Sequence, residues 1–166
     1  MAGKAIGVNL DFGYRGAVSR TPDTLIQAYQ NVGDDPIQFG EPVVYDATNG
    51  GVRKIKTTDT TNTNIIGIAV RRMGDPYADN PQGWYYKAKD TVDVLVRGSI
   101  VVELKATTSI AAHGKIYVAN GNNSTTAGDL YCATGTGLVE VPNAILTTGK
   151  FDSNKCAEIT VLERKA

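Results

Sequence analysis

The sequence predicts an all-β protein, a small β-barrel or β-sandwich with an extended N-terminal arm and little helix. The 166 residues include 18 glycines and six prolines, which interrupt helices. Short runs of Val, Ile, Thr and Tyr, residues that favour strands, follow one another from about residue 37 onward. Turns rich in Gly and Asn separate these runs at the close spacing typical of barrels and sandwiches.

The chain is predicted to divide into an arm and one domain. Residues 1–36 are mostly polar, with single aromatic residues among Gly, Arg, Ser and Asp, so they bury little surface on their own. We expect an extended arm that orders against a partner, although a strand pair packed on the core fits the same residues equally well. The best short helical candidate, Asp23–Gln30, fits an extended arm nearly as well. Residues 37–166 form the predicted β-barrel or β-sandwich domain.

Individual strands are predicted from apolar runs and the turns between them. Glu41–Tyr45 and Val52–Lys56 flank Asn49-Gly50-Gly51, whose residues tolerate positive φ, so a hairpin is expected. Ile65–Arg71 is almost wholly apolar, which indicates a strand buried on both faces. Gly67 within it is expected to mark a bulge or a close approach of two backbones.

The clearest alternation of apolar and polar side chains runs through residues 91–105. Gly98 lies in its middle and allows either a tight turn or a bulge in one long bent strand. The apolar residues keep the same frame on both sides, from Val96 to Ile100, which favours the long strand. A polar hairpin loop is predicted over residues 120–128. Further strands are predicted at Lys115–Ala119, Asp129–Ala133, Gly137–Leu146 and Cys156–Glu163.

Charge and composition favour neither a nucleic-acid nor a membrane partner. Seventeen basic residues balance 17 acidic ones, and no basic stripe is present. No apolar run reaches the roughly 20 residues that a membrane helix needs. The first residues lack the apolar stretch of a secretory signal, so synthesis in a cytoplasm is expected. Cys132 and Cys156 are too few and too far apart for a disulfide framework or a zinc site.

The residues of common catalytic sites do not occur in a recognisable arrangement. His113 is the one histidine, and it precedes a glycine in a predicted turn. No serine occupies a Gly-x-Ser-x-Gly elbow, and no phosphate-binding loop is present. Asp75 and Asp79 match no calcium loop. We therefore predict that the protein is not an enzyme, needs no cofactor or metal, and acts through its surfaces.

Five segments occur in an order that is informative. In chain order they are Gly16–Thr24, Ile37–Val43, Ile66–Val70, Val96–Val102 and Gly114–Val118. With these five segments in this order, the chain resembles the structural cement, or head decoration, proteins of tailed bacteriophages. The resemblance extends over nearly the whole length of the chain. The loop at residues 120–128 has no match in this comparison.

The resemblance implies a capsid decoration protein without enzymatic activity or cofactor. Such a protein is made in the cytoplasm of the bacterial host and attaches to the outer surface of the expanded head. Its partner would be the major capsid protein, and it would act as a homo-oligomer, a trimer at three-fold positions. Within the arm, the residues predicted to bind the capsid are Phe12, Tyr14, Arg15 and Arg20.

The aromatic cluster Trp84-Tyr85-Tyr86 permits two interpretations. Aromatic residues collect at protein interfaces, so we predict that Trp84 and Tyr86 lie in the interface of the homo-oligomer. Flat aromatic rings on a β surface also stack on sugars, which leaves a carbohydrate-binding module or an adhesin on the virion surface as an alternative. A structural component of the phage tail or baseplate is a third possibility, because phage β-barrels share this composition.

Overall fold

In the computed structural model, the described residues are 12–62, 64–72, 85–106 and 110–162. All regular secondary structure within these ranges is β-strand, as the all-β prediction expected. The same residues include no helix long and apolar enough to cross a membrane. In chain order the strands are β1 (Val18–Gln30), β2 (Ile37–Gln38), β3 (Pro42–Asp46), β4 (Gly51–Lys54), β5 (Ile65–Ala69), β6 (Tyr85–Tyr86), β7 (Thr91–Ala106), β8 (Lys115–Ala119), β9 (Leu130–Tyr131), β10 (Leu138–Leu146) and β11 (Cys156–Val161).

Five of these strands close into a small barrel. β7 pairs with β11, β11 with β10, β10 with β8, and β8 with β9, all antiparallel. β9 then returns to β7 through a short parallel pairing, which completes the circuit. Aliphatic side chains fill the interior; Leu104, Ile116, Leu130, Leu146 and Ile159 are among them, each at most 2% exposed. Of the two predicted architectures, the chain therefore forms the barrel.

A second group of strands extends from the first half of β7. Leu95 pairs with Ile68 of β5 on one edge and with Ile26 of β1 on the other. β5 continues to β3 and β4, and this region has an apolar cluster of its own. The cluster is small and contains two buried rings, Phe39 and Tyr86, whose centroids are 5.1 Å apart. The molecule thus has two apolar cores, and β3, β5 and β7 each contribute side chains to both of them.

The longest of the three strands shared by the two cores is the predicted long one. β7 runs without interruption through Gly98, whose φ is +125°. Val96, before this glycine, packs in the small cluster, whereas Ile100, two places beyond it in the same frame, packs in the barrel. Glycine adopts a positive φ at little cost, so a strand can bend at such a residue. The prediction of one bent strand rather than a tight turn is confirmed.

Two further expectations from the sequence are confirmed. β3 and β4 form the hairpin, with Asp46 opposite Gly51. Gly67 marks a close backbone approach, because a Cβ there would collide with the carbonyl oxygen of Leu95 on β7. The strand predicted at Asp129–Ala133 is shorter than expected, since only β9 pairs there.

The segment predicted as an arm, residues 1–36, begins outside the described residues. From Phe12 onward it lies against the domain, and β1 pairs antiparallel with β7. The helical candidate Asp23–Gln30 is wrong, because these residues belong to β1. Its polar composition is that of a strand with one neighbour, which leaves most side chains exposed. The function of the segment as an arm towards a partner stays a prediction.

Candidate functional site

The centre of residues 12–20 lies between β7 and the segments around Phe39 and Arg71, and we call these residues the N-terminal strap. Backbone hydrogen bonds hold its centre on two neighbours. The Gly16 N–H donates to the Val101 carbonyl oxygen at 2.7 Å, and the Val101 N–H donates to the Ala17 carbonyl oxygen at 2.9 Å. The Arg71 N–H donates to the Gly16 carbonyl oxygen at 2.6 Å. The strap therefore ties β7 to the segment that follows β5.

Gly16 lies in close contact with two neighbouring segments. Its φ of +78° falls in the left-handed region, which side chains other than glycine rarely adopt. A Cβ on it would lie 2.8 Å from the Phe39 Cβ and 2.9 Å from the Arg71 backbone nitrogen. Only glycine fits this contact, so the glycine at position 16 determines where the strap packs against its neighbours.

Arg15 fixes the strap through its side chain. Its Nε donates a hydrogen bond to the Phe39 carbonyl oxygen at 2.6 Å, and its Nη1 lies 3.3 Å from the Glu103 carboxylate. Glu103 is also 3.4 Å from Lys105, which in turn lies 3.7 Å from Asp129. The guanidinium of Arg15 thus joins a charge network on β7 and is half-buried, with little of its charge directed to solvent.

Arg20 makes the most specific ion pair of the strap. Its Nε and Nη2 each lie 2.9 Å from a different oxygen of the Glu158 carboxylate on β11, and Ser19 Oγ donates to the same carboxylate at 2.6 Å. Burial opposes ionisation of Glu158, but the hydrogen bonds from Arg20 and Ser19 outweigh it and hold the pKa below its ordinary value. The Arg20 side chain is 62% exposed, so one side of it is open to a partner.

Tyr14 is the most exposed large side chain of the strap. It is 65% exposed, and the Arg71 guanidinium carbon lies 4.5 Å from its ring centroid, a cation–π contact that orients the ring. Phe12 is half-buried, and its N–H donates to Asp152 at 3.0 Å. Of the four residues predicted to bind the capsid, Tyr14 and Arg20 thus present most surface, whereas Phe12 and Arg15 also hold the strap in place.

Of the two residues predicted for the oligomer interface, Tyr86 is among the described residues. Trp84 lies outside the described residues. Tyr86 is 2% exposed, its hydroxyl donates to the Val70 carbonyl oxygen at 2.7 Å, and its ring packs edge-on against Phe39. Neither face of that ring is open for stacking on a sugar. A single chain does not test the interface prediction, but Tyr86 is already enclosed by its own chain.

Sequence reasoning missed the buried acids that hold this surface together. Glu41 is 3% exposed, receives the Gln38 N–H at 2.9 Å and lies 3.2 Å from Lys54 Nζ. Burial raises the pKa of Glu41, and the charge of Lys54 offsets part of that rise. Glu158 is also buried, at 5% exposed, but the hydrogen bonds from Arg20 and Ser19 keep its pKa low. The available signal was an isolated acid within an apolar strand, as in Ala157-Glu158-Ile159.

The described residues offer no arrangement for metal or acid–base chemistry that we recognise. Among them, no group of three or more His, Cys, Asp or Glu side chains could hold a metal ion. His113 lies in an exposed turn with φ of +60°, and its backbone N–H donates to the Leu146 carbonyl oxygen at 2.8 Å. What the strap does present is the exposed ring of Tyr14 beside the guanidinium of Arg71.

This architecture is similar to that of a solved structure. A chain of the structure "The capsid of Myoviridae Phage XM1" superimposes with a TM-score of 0.71 at 18% sequence identity, over 99% of this chain and 100% of that chain. At such identity the likeness shows a shared fold. No curated protein matches the sequence. The family model "Structural cement protein (E217 gp24/Pam3 gp6)" matches residues 3–162. Because that match spans nearly the whole chain, the protein belongs to the structural cement protein family of bacteriophages.

Proposed function

We propose that the protein decorates the outer surface of the expanded bacteriophage head and stabilises it by binding the major capsid protein. The observation that carries this proposal is the family match over residues 3–162. The protein is made in the cytoplasm of the bacterial host and becomes part of the virion. It acts as a homo-oligomer, a trimer at three-fold positions, and its function requires no chemical step and no cofactor.

The expanded head would be stabilised because binding and expansion are thermodynamically linked. A protein that binds the expanded shell and not the unexpanded one stabilises the expanded state, by about 2.7 kcal/mol per site at a concentration 100 times the dissociation constant. Copies that act as one unit bind more tightly than each copy alone, with avidity gains on the order of 10²–10⁴. Weak individual contacts therefore suffice for cementing.

The N-terminal strap is the surface that we propose for the capsid contact. Tyr14 and Arg20 belong to the residue types that dominate binding energy at protein interfaces. Both are held by intramolecular contacts, Tyr14 by Arg71 and Arg20 by Glu158. A side chain that is already oriented loses less conformational entropy on binding than one that moves freely. The strap thus offers a preorganised aromatic and cationic surface.

Replacement of Tyr14 by Ala is expected to weaken binding to undecorated expanded heads by about 30-fold, the effect of losing a typical hot-spot residue. The Tyr14 side chain is largely exposed, so the fold of the variant should be unchanged. Co-sedimentation with a titration of heads measures the change. Leu162→Ala is a matched control, because Leu162 is also an exposed apolar side chain but lies just beyond β11.

The two possible failures are distinguishable. Unchanged binding of Tyr14→Ala would contradict the strap as the contact surface and leave the cementing role intact. Failure of the unmodified protein to bind any head would contradict the role itself.

A further inference from the structure

β1 is a strand with one open edge. One of its edges pairs with β7, and the other makes a single bridge in the described part of the chain, between Asn31, just past the end of β1, and Val52. Two large apolar side chains are exposed in the middle of the strand, Leu25 at 44% and Ile26 at 41%. An unpaired strand edge presents a row of backbone donors and acceptors to any other strand.

The usual protection of such an edge covers only the first half of β1. Proline, charged side chains and bulges blunt sheet edges in natural proteins. Pro22 and the irregular register between Arg20 and Leu25 protect the first half of β1 in this way. Residues 24–30 contain neither a charge nor a proline. The adjacent charges, Asp23 and Arg97, pair with each other at 2.7 Å and repel no incoming strand.

The backbone groups that face the open edge follow from the ladder. The Asn31 N–H donates to the Asp90 carbonyl oxygen at 2.8 Å, on the side of β7. Hydrogen bonding alternates along an antiparallel strand, so Tyr29 and Gln27 also bond towards β7. The N–H and C=O groups of Ile26 and Ala28 then point to the open edge. The exposed Ile26 lies at the centre of this edge.

We propose that β1 pairs antiparallel with β1 of a second copy of this chain, around a two-fold axis at Ile26. Each Ile26 then lies opposite its counterpart, Leu25 opposite Gln27, and Thr24 opposite Ala28. No two like charges meet, because the paired stretch has no charges. A contact of this kind uses the same edge of β1 in both copies, so it closes at the pair instead of growing into a fibre. A second copy is also the partner present as soon as the chain folds.

This pairing goes beyond the proposed capsid contact and can be tested without any head. The native mass of the purified protein is expected to correspond to an even number of chains, two or, if a three-fold contact also forms, six. Ile26→Lys is expected to halve that mass, because two lysines would then face each other across the axis. Leu162→Lys, an equivalent change at another exposed apolar position, should keep the mass of the unmodified protein. Far-ultraviolet circular dichroism verifies that both variants are folded.

The register is tested by cross-linking on a Cys132→Ser background. Leu25 and Gln27 face each other across the axis as a non-hydrogen-bonded pair, with Cα atoms about 4.5 Å apart. That separation falls within the range of about 4.4–6.8 Å that a disulfide spans. A mixture of Leu25→Cys protein and Gln27→Cys protein should therefore form a covalent dimer on mild oxidation, whereas neither variant alone should.

Three results would overturn the proposal. The first is a native mass of one chain, and the second is a trimer whose mass Ile26→Lys leaves unchanged. The third is loss of head binding by Ile26→Lys with an unaltered native mass, which would show that a capsid protein segment covers the edge instead.

Discussion

Replacement of Gly67 by Ala is expected to destabilise the protein by about 3 kcal/mol, the upper part of the usual cost of overpacking a core. A Cβ at this position would meet the Leu95 carbonyl oxygen and lie 2.7 Å from a methyl carbon of Val94. The first obstacle is backbone in a strand that both cores share, so it cannot move without disturbing each of them. Denaturant unfolding of the two proteins measures the difference.

Gly50→Ala is the matched control for this substitution. Gly50 has φ of +70°, but no atom lies within 4 Å of the position that a Cβ would take. Its replacement should therefore cost roughly 1–2 kcal/mol, the penalty for a left-handed backbone alone. If Gly67→Ala were as stable as the unmodified protein, the close contact of β5 and β7 would be wrong.

Replacement of Arg20 by Ala is expected to change how stability depends on pH. The folded-state pKa of Glu158 is lowered, so the stability from this carboxylate is present above the unfolded pKa of about 4.3 and is lost as pH falls through the folded value. Without Arg20, the carboxylate loses a hydrogen-bond donor and a positive charge that lower its pKa, so the pKa rises. The difference in unfolding free energy between the two proteins should be largest near neutral pH and shrink in acid.

Urea unfolding at a series of pH values from 7 downward measures this difference. Arg97→Ala is the control, because Arg97 pairs with Asp23 and both side chains are at least half exposed. Exposed pairs contribute about 0–1 kcal/mol, so its effect should be small at every pH. A difference between Arg20→Ala and the unmodified protein that stays constant across the range would contradict the role assigned to Glu158.

Local features of the fold could be predicted because each depends on a few adjacent residues. The hairpin of β3 and β4 follows from Asn49-Gly50-Gly51, and the length of β7 follows from an apolar frame that Gly98 does not interrupt. Gly67 within an apolar strand indicated the close approach that the structure contains. These are properties of turn geometry and side-chain alternation, which one sequence displays directly.

The remaining features depend on pairs of residues far apart in the chain. Arg20 and Glu158 are 138 positions apart, and Arg15 and Glu103 are 88 apart, so no local pattern shows that these charges neutralise each other. The sequence predicts a strand at β9, but its pairing with β7, which closes the barrel, joins two separate segments that no local pattern connects. The burial of Tyr86 against Phe39 is likewise a contact between distant residues, so the cluster Trp84-Tyr85-Tyr86 alone could not predict it.

The N-terminal segment also illustrates why composition leaves the structure of a polar segment open. Residues 18–30 have a composition that also suits an arm, because most side chains of this strand whose exposure is described are at least partly open to solvent. What orders the described part is backbone pairing with β7 and the contact at Gly16. Neither depends on apolar side chains, so the usual signal of a packed element is absent.

Co-sedimentation of the purified protein with undecorated heads, prepared before and after expansion, tests the cementing function most directly. We expect saturable binding to expanded heads, with a fixed number of copies per head, and none to unexpanded heads. Equal binding to both forms would contradict stabilisation of the expanded state, and absence of binding to either form would contradict the assignment as a capsid decoration protein.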